Sequence, residues 1–219
     1  EHGATHACMT PAVVATLNPV NMPTFCDVAC GGEALPPELV HRWTALGDRR
    51  IYNIYGPTEA AVWVTCGGPF DLHEDITIGR PDAGVGILVL DRSLRPVPTG
   101  VTGEMYVTGE QVGLGYRGQN ALTAVRFVAN PFAPGTRMYR TGDRVSRRSD
   151  GAFDYHGRVD FQLKIRGQRI EPGELDAVLL THPDVTNAVS VGLPGPSGDT
   201  VLASYVSLVE GGVVTPGEL

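Results

Sequence analysis

Asn53-Ile54-Tyr55-Gly56-Pro57-Thr58-Glu59 is the stretch on which the reading of this chain turns. Strand-forming residues 50–55 run into Gly-Pro, which ends the strand and tightens the chain into a turn. The turn sets a hydroxyl, Thr58, beside a carboxylate, Glu59. Backbone N–H groups in such a turn can meet phosphate oxygens. The threonine adds a further donor, and a glutamate suits Mg²⁺, a hard cation that seeks oxygen ligands. An ordinary strand–turn corner looks the same locally, so the heptapeptide needs company.

It has company downstream. Tyr139-Arg140-Thr141-Gly142-Asp143 places a carboxylate just after what reads as a glycine turn. Two carboxylate oxygens match the two hydroxyls of a ribose. Gly157-Arg158-Val159-Asp160 then leads through Gln162, Lys164 and Gly167 to Arg169-Ile170-Glu171, a dense charged hairpin. Three such motifs in order are far more specific than any one.

Working outward, residues 10–18 are apolar enough for one or two helical turns, and residues 26–30 read as a short buried strand. Pro36-Pro37 opens a helix whose Leu39, Val40, Trp43 and Leu46 share one stripe. Residues 1–75 therefore read as an α/β segment. From residue 76 to 159 short strands alternate with Gly, Pro and Asp turns, as in an antiparallel sheet or small barrel. A helix over 121–128 interrupts them, and Asp150-Gly151 reads as a hairpin turn. From 160 to 219 the pattern becomes a small α+β unit. Residues 161–166 form a strand, 172–180 a helix, and 187–193 and 202–209 two further strands. Thr215-Pro216-Gly217-Glu218-Leu219 resembles a fresh helix start. The fold class is thus mixed α/β.

Composition narrows the function classes. The 219 residues carry a net charge of −7, which offers no electrostatic footprint for nucleic acid. No apolar run approaches the ~18 residues that span a bilayer. Four cysteines, at 8, 26, 30 and 66, form no C-x-x-C pair, which points to a reduced, cytoplasmic compartment. His2, His6 and Cys8 lie close together but match no zinc spacing. Lys164 is the single lysine among 17 basic residues. It reads either as a point charge that arginine cannot replace or as an ordinary surface lysine.

On these motifs the sequence resembles the adenylate-forming superfamily, and in particular the adenylation domains of nonribosomal peptide synthetases. The resemblance covers essentially the whole chain. Gly32-Glu33-Ala34-Leu35, the heptapeptide at 53, the segment GEMYVTGEQVGLGY at 103–116 with Leu122-Thr123, RMYRTGD at 137–143 and GRVDFQLKIRGQRIEPGE at 157–174 follow in the family's order. Arg126-Phe127-Val128-Ala129-Asn130-Pro131-Phe132 favours peptide-synthetase domains over acyl-CoA ligases and luciferases.

The resemblance implies the back part of a large domain with a barrel-like subdomain, then a truncated small C-terminal domain. It implies roles too. Thr58 would contact phosphate and Glu59 would bind Mg²⁺. Asp143, helped by Arg158, would hold the ribose of ATP, and Tyr55 would lie against the adenine. Gly32, Glu33, Asn53 and Gly56 would complete the nucleotide side. Asp160 would be a hinge, with Lys164 and Gly167 on a hairpin swung in for thioester formation. Cys8, Ala29, Gly31, Ile54, Val62 and Trp63 would line the pocket for an amino acid, fitting an uncharged substrate of modest size. Core packing is the plain alternative for each of the six.

The implied activity converts ATP and an amino acid into aminoacyl-AMP and pyrophosphate, then loads the phosphopantetheine thiol of a peptidyl carrier protein or domain. The family's triphosphate loop would lie upstream of Glu1 and its catalytic lysine beyond Leu219, so the chain alone is expected to be nearly inactive. Rival readings are an acyl- or aryl-CoA ligase of the same superfamily and a non-catalytic remnant or interaction module.

Overall fold

The computed structural model describes residues 3–165, 167–195, 200–215 and 217. The chain divides into two compact units, Glu1–Val159 and Asp160–Leu219.

The first unit opens with β1 (His6–Met9), α1 (Pro11–Thr16), β2 (Asp27–Gly31), α2 (Pro37–Thr44), β3 (Arg50–Tyr55), β4 (Thr65–Gly67) and β5 (Arg80–Pro81). These strands form one sheet in the order β1-β2-β3-β4-β5. The first three run parallel, and β4 and β5 are antiparallel to their neighbours. Thr10 caps α1 by accepting the Val13 N–H at 3.4 Å. Arg42 closes the other end of α1, donating to the carbonyls of Val14 and Ala15 at 3.1 and 3.0 Å. In α2, Glu38 in the first turn and His41 and Arg42 in the last complement the helix dipole.

Both helices cover one face of the sheet. Val14, Val28, Cys30, Leu39, Val40, Trp43, Ile51 and Phe70 form the core there. Burying one such side chain fully contributes about 1.5–3 kcal/mol. Burial, reinforced by Cys8, pushes the Cys30 thiol up to about 12, so it stays protonated. Leu46 does not join the stripe expected of it: α2 ends at Thr44, and Leu46 lies exposed beyond its last turn.

A second, antiparallel sheet follows. It contains β6 (Gly86–Leu90), β7 (Gly103–Thr108), β8 (Phe127–Ala129), β9 (Arg137–Arg147) and β10 (Phe153–Arg158). Its order is β10-β9-β7-β6, with β8 on β9. The helix expected over 121–128 is α3 (Asn120–Arg126) and stops earlier, because Phe127 and Val128 pair with Tyr139 and Met138. Asp150-Gly151 does turn β9 into β10. Phe153 exchanges backbone hydrogen bonds with Ile78 and Gly79, which carries the first sheet into the second. Their shared core holds Tyr55, Val64, Ile78, Val89, Met105, Val107, Val145 and Phe153.

In the second unit β11 (Leu163–Ile165) and β12 (Gln168–Ile170) form a hairpin, with Gly167 in the left-handed region at its turn. The strand is shorter than the expected 161–166: Phe161 is exposed, and Arg166 lies outside the described residues. Next come α4 (Pro172–Leu179), β13 (Val185–Pro194) and β14 (Thr200–Leu208). Leu179 packs with Val185 and Ala188, and Val206 and Leu208 close the cluster. Of the expected helix start at 215–219, Pro216, Glu218 and Leu219 lie outside the described residues.

Candidate nucleotide and substrate site

The carboxylate of Asp143 is the best-defined polar centre of the first unit. The sequence suggested a glycine turn before it, but Gly142 lies inside β9 with φ at +79°. Glu104 pairs with Arg144 and Tyr106 with Arg140, so Thr141, Gly142 and Asp143 face Met105 alone on β7. This is a β-bulge, a device that bends a strand and re-aims a side chain. Glycine supplies the backbone conformation, and the hydroxyl of Thr141 fills the gap. It donates to the Met105 carbonyl at 2.7 Å and accepts the Asp143 N–H at 2.9 Å. On the other side β10 is also irregular between Tyr155 and Arg158.

The two irregularities bring three donors onto one carboxylate. Arg158 Nη1 donates to Asp143 Oδ1 at 2.8 Å, and Tyr155 Oη to the same oxygen at 3.3 Å. Tyr55 donates to Oδ2. Asp143 is only 5% exposed, so such pairing is required of it. Burial, then the charge of Asp143, holds the Tyr55 phenol well above its usual range, so it remains a donor. The Tyr55 ring is itself buried, at 8% exposure, and belongs to the core as well as to the site.

Beyond Tyr55 the chain turns through Gly56-Pro57 into a short 3₁₀ turn, Thr58–Ala60. Gly56 is there for room: a Cβ would lie 2.3 Å from the Trp63 Cα. Ala61 and Val62 follow with φ of +52° and +68°, a conformation that costs energy, most of all for a β-branched residue. Thr58 is exposed, whereas Glu59 is 9% exposed and accepts a hydrogen bond from Tyr116 Oη. Among the described residues no group of three or more metal-ligating side chains occurs. A single near-buried carboxylate fits Mg²⁺, which binds through one or two carboxylates plus substrate phosphates.

The remaining expected residues are spread more widely. Gly32 has φ at +89° just after β2, and Glu33 accepts the Ala12 N–H at 3.3 Å. Asn53 is buried and turns its amide to the Thr77 carbonyl at 2.9 Å, bracing the first sheet. In the second unit Asp160 accepts the Gln162 N–H at 3.4 Å, and Lys164 pairs with Arg169 across the hairpin that Gly167 turns.

Four of the six expected pocket residues share the uncovered face of the first sheet. The ladder aligns Cys8, Ala29 and Tyr52 in one rung and Gly31, Ile54 and Cys66 in another. Gly31 makes space for its neighbour, since a Cβ there would lie 2.7 Å from Ile54 Cγ1. The next rung is ionic. Arg50 forks onto Asp27 at 2.6 and 2.7 Å, and His6 Nε2 lies 2.9 Å from the same carboxylate. Arg50 thereby holds the Asp27 carboxyl below its usual range. An open cavity of about 570 Å³ lies over the ionic rung and the rung of Cys8, Ala29 and Tyr52. Of the six expected pocket residues Cys8 and Ala29 line it and Gly31 and Ile54 do not; nor do Val62 and Trp63. These last two are exposed, at 70% and 41%, and the Trp63 indole donates to Asp82 at 3.0 Å.

Sequence reasoning missed Tyr52, Tyr116, Thr141 and Tyr155. Tyr52 carried a usable signal, because strand alternation puts it on the face of Ile54. The bulge beside Asp143 carried none, since it depends on the partner strand.

A family model described as AMP-binding enzyme matches residues 1–117. Novobiocin biosynthesis protein H of Streptomyces niveus is 44% identical over 98% of this chain and 36% of its own length. A probable non-canonical nonribosomal peptide synthetase of Salinispora arenicola, CymA, is 46% identical over 98% of this chain and 3% of its own length. The chain thus spans about a third or less of these relatives. A solved peptide-synthetase protein containing adenylation and PCP domains, holo-PA1221 bound to a vinylsulfonamide inhibitor, superposes with a TM-score of 0.87 at 28% identity. That match covers 99% of this chain and 40% of that one. With over half of its residues matched by the model, the chain belongs to the AMP-binding enzyme family.

Proposed function

We propose that this chain is part of an amino-acid-activating adenylation domain, residues 1–159 belonging to its large core and 160–219 to its small C-terminal domain. The observation that carries the reading is the Asp143 carboxylate, set by a bulge beneath Tyr55, Tyr155 and Arg158. A fixed carboxylate with aromatic neighbours suits a ribose and its base in a family that binds AMP.

In the whole protein the carboxylate of the amino acid attacks the α-phosphorus of ATP, and pyrophosphate leaves. The thiol of a carrier's phosphopantetheine then attacks the acyl carbon, loses its proton, and displaces AMP. Two anions meet in the first step, so positioning and cationic stabilisation carry most of the catalysis. Mg²⁺, when bound, would supply positive charge at the phosphates. Glu59 would hold it and Thr58 would donate to a phosphate oxygen. Asp143 would fix the ribose and the rung of Cys8, Ala29 and Tyr52 would floor the amino-acid pocket. The boundary of the two compact units, between Val159 and Asp160, supports Asp160 as the hinge and Lys164 and Gly167 as parts of the moving hairpin.

The carrier partner is supported by relatives of the same build, in which adenylation and PCP domains share one chain. Four free cysteines accord with a reducing cytoplasm, and no helix among the described residues is long and apolar enough to cross a membrane. The test is pyrophosphate exchange by the complete domain with a panel of amino acids. Exchange dependent on one or a few uncharged amino acids is expected. Exchange driven only by aryl or acyl acids would replace the substrate class, and near-normal exchange by residues 1–219 alone would refute the view that further segments are required.

A further inference from the structure

The loop Gly113-Leu114-Gly115-Tyr116 and the threonine at 123 are given no role in the proposed reaction, yet several contacts converge to aim one side chain of that loop. Gly113 donates its N–H to the Glu59 carbonyl at 2.8 Å, tying the loop to the 3₁₀ turn. A Cβ at Gly113 would sit 3.1 Å from that same carbonyl. Gly115 has φ at +139° and packs so closely on Thr123 that a Cβ would lie 2.3 Å from its methyl. The Thr123 hydroxyl accepts the Tyr116 N–H at 2.9 Å. Arg137 donates to the Leu114 and Gly113 carbonyls at 2.8 and 3.3 Å and lies over the Phe127 ring. That ring meets Tyr116 edge-on at 5.4 Å. With backbone and ring both held, the Tyr116 hydroxyl lands on Glu59 Oε1.

We propose that Tyr116 is a positioning residue that orients the Glu59 carboxylate toward Mg²⁺, with Thr123 holding Tyr116 in place. The proposal rests on the reading of Glu59 as the magnesium carboxylate. Its physical basis is the geometry Mg²⁺ demands. The ion accepts little departure from octahedral coordination, and a glutamate carboxylate can swing about its terminal torsion. A donor held in place on one oxygen restricts that swing and so helps to fix the plane of the carboxylate. Hydrogen-bond partners of this kind typically govern metal affinity by 10–100-fold.

The test uses the complete adenylation domain and titrates Mg²⁺ at fixed ATP, following nucleotide binding by calorimetry and pyrophosphate exchange in parallel. Tyr116→Phe is expected to raise the Mg²⁺ concentration for half-saturation about 10-fold in both readouts, with the KM for the amino acid unmoved. Thr123→Val should shift the titration the same way, and Thr123→Ser should restore it. Glu59→Gln separates the two levels of the reading. If Glu59→Gln shifts the titration and Tyr116→Phe does not, the role of Tyr116 is overturned while Glu59 keeps its own. If Glu59→Gln leaves the titration unchanged, both assignments fall.

Discussion

The hydroxyl of Tyr55, at the end of β3, donates to the carboxylate of Asp143, 88 residues further along on β9. The first, mixed sheet and the second, antiparallel sheet are thereby pinned together at the point where the nucleotide is proposed to bind. Tyr55→Phe keeps the ring and removes the donor. It should lower the stability of the complete domain by about 1–3 kcal/mol, as expected for leaving a buried acceptor short of a partner. The pH dependence should change as well. The folded phenol ionises well above the ordinary value of 10.0, so above about pH 10 the unfolded chain holds fewer protons than the folded one. Stability then falls as pH rises, and the fall should be shallower in Tyr55→Phe. Urea unfolding between pH 8 and pH 11 measures both effects.

Asp143→Asn keeps the shape of the side chain and cancels its charge. Arg158 then faces a neutral amide while only 11% of its side chain is exposed. Breaking a pair so buried should cost about 3 kcal/mol. ATP affinity should fall at least about 10-fold, the effect of roughly 1.4 kcal/mol lost at the ribose. Calorimetric titration with ATP and a thermal melt separate the two effects.

Gly56→Ala tests the tight corner. The added methyl would meet the Trp63 backbone rather than a movable side-chain tip. We expect a loss of roughly 1–3 kcal/mol, together with weaker ATP binding, because the 3₁₀ turn bearing Thr58 and Glu59 must shift. Denaturation and nucleotide titration of the same variant provide the check.

The ionic rung predicts acid sensitivity. Arg50 lowers the Asp27 carboxyl below 3.8, so its contribution is complete above that pH and is lost as pH falls through the folded value. In Asp27→Asn this part of the acid dependence should vanish. Urea midpoints from pH 6 down to pH 2, compared with the unmodified protein, reveal the difference.

Much of the fold was legible because it is written locally. The strand at 50–55 shows in its β-branched and aromatic residues and in the Gly-Pro that ends it. The helix at Pro37 shows in its proline start and the spacing of Leu39, Val40 and Trp43. Boundaries drifted where a long-range partner overrode local preference. Phe127 and Val128 continue a helical pattern in sequence but pair as a strand with β9. Leu46 continues an apolar stripe, but the helix has already ended.

By itself the sequence determined the mixed α/β class, the order of the motifs and the family they belong to, since these reside in short runs of residues and in local backbone preference. The tertiary structure alone decided that Gly142 is a bulge and not a turn. That outcome depends on Met105 of β7 offering one residue to three. It also decided that Tyr55, Tyr155 and Arg158 share one carboxylate, that Cys8, Ala29 and Tyr52 form one rung while Trp63 turns away, and that Tyr116 reaches Glu59. Each of these is a register or packing choice between distant segments. Its energy comes from burying polar groups with their partners, and no local window of sequence contains both halves of such a pair.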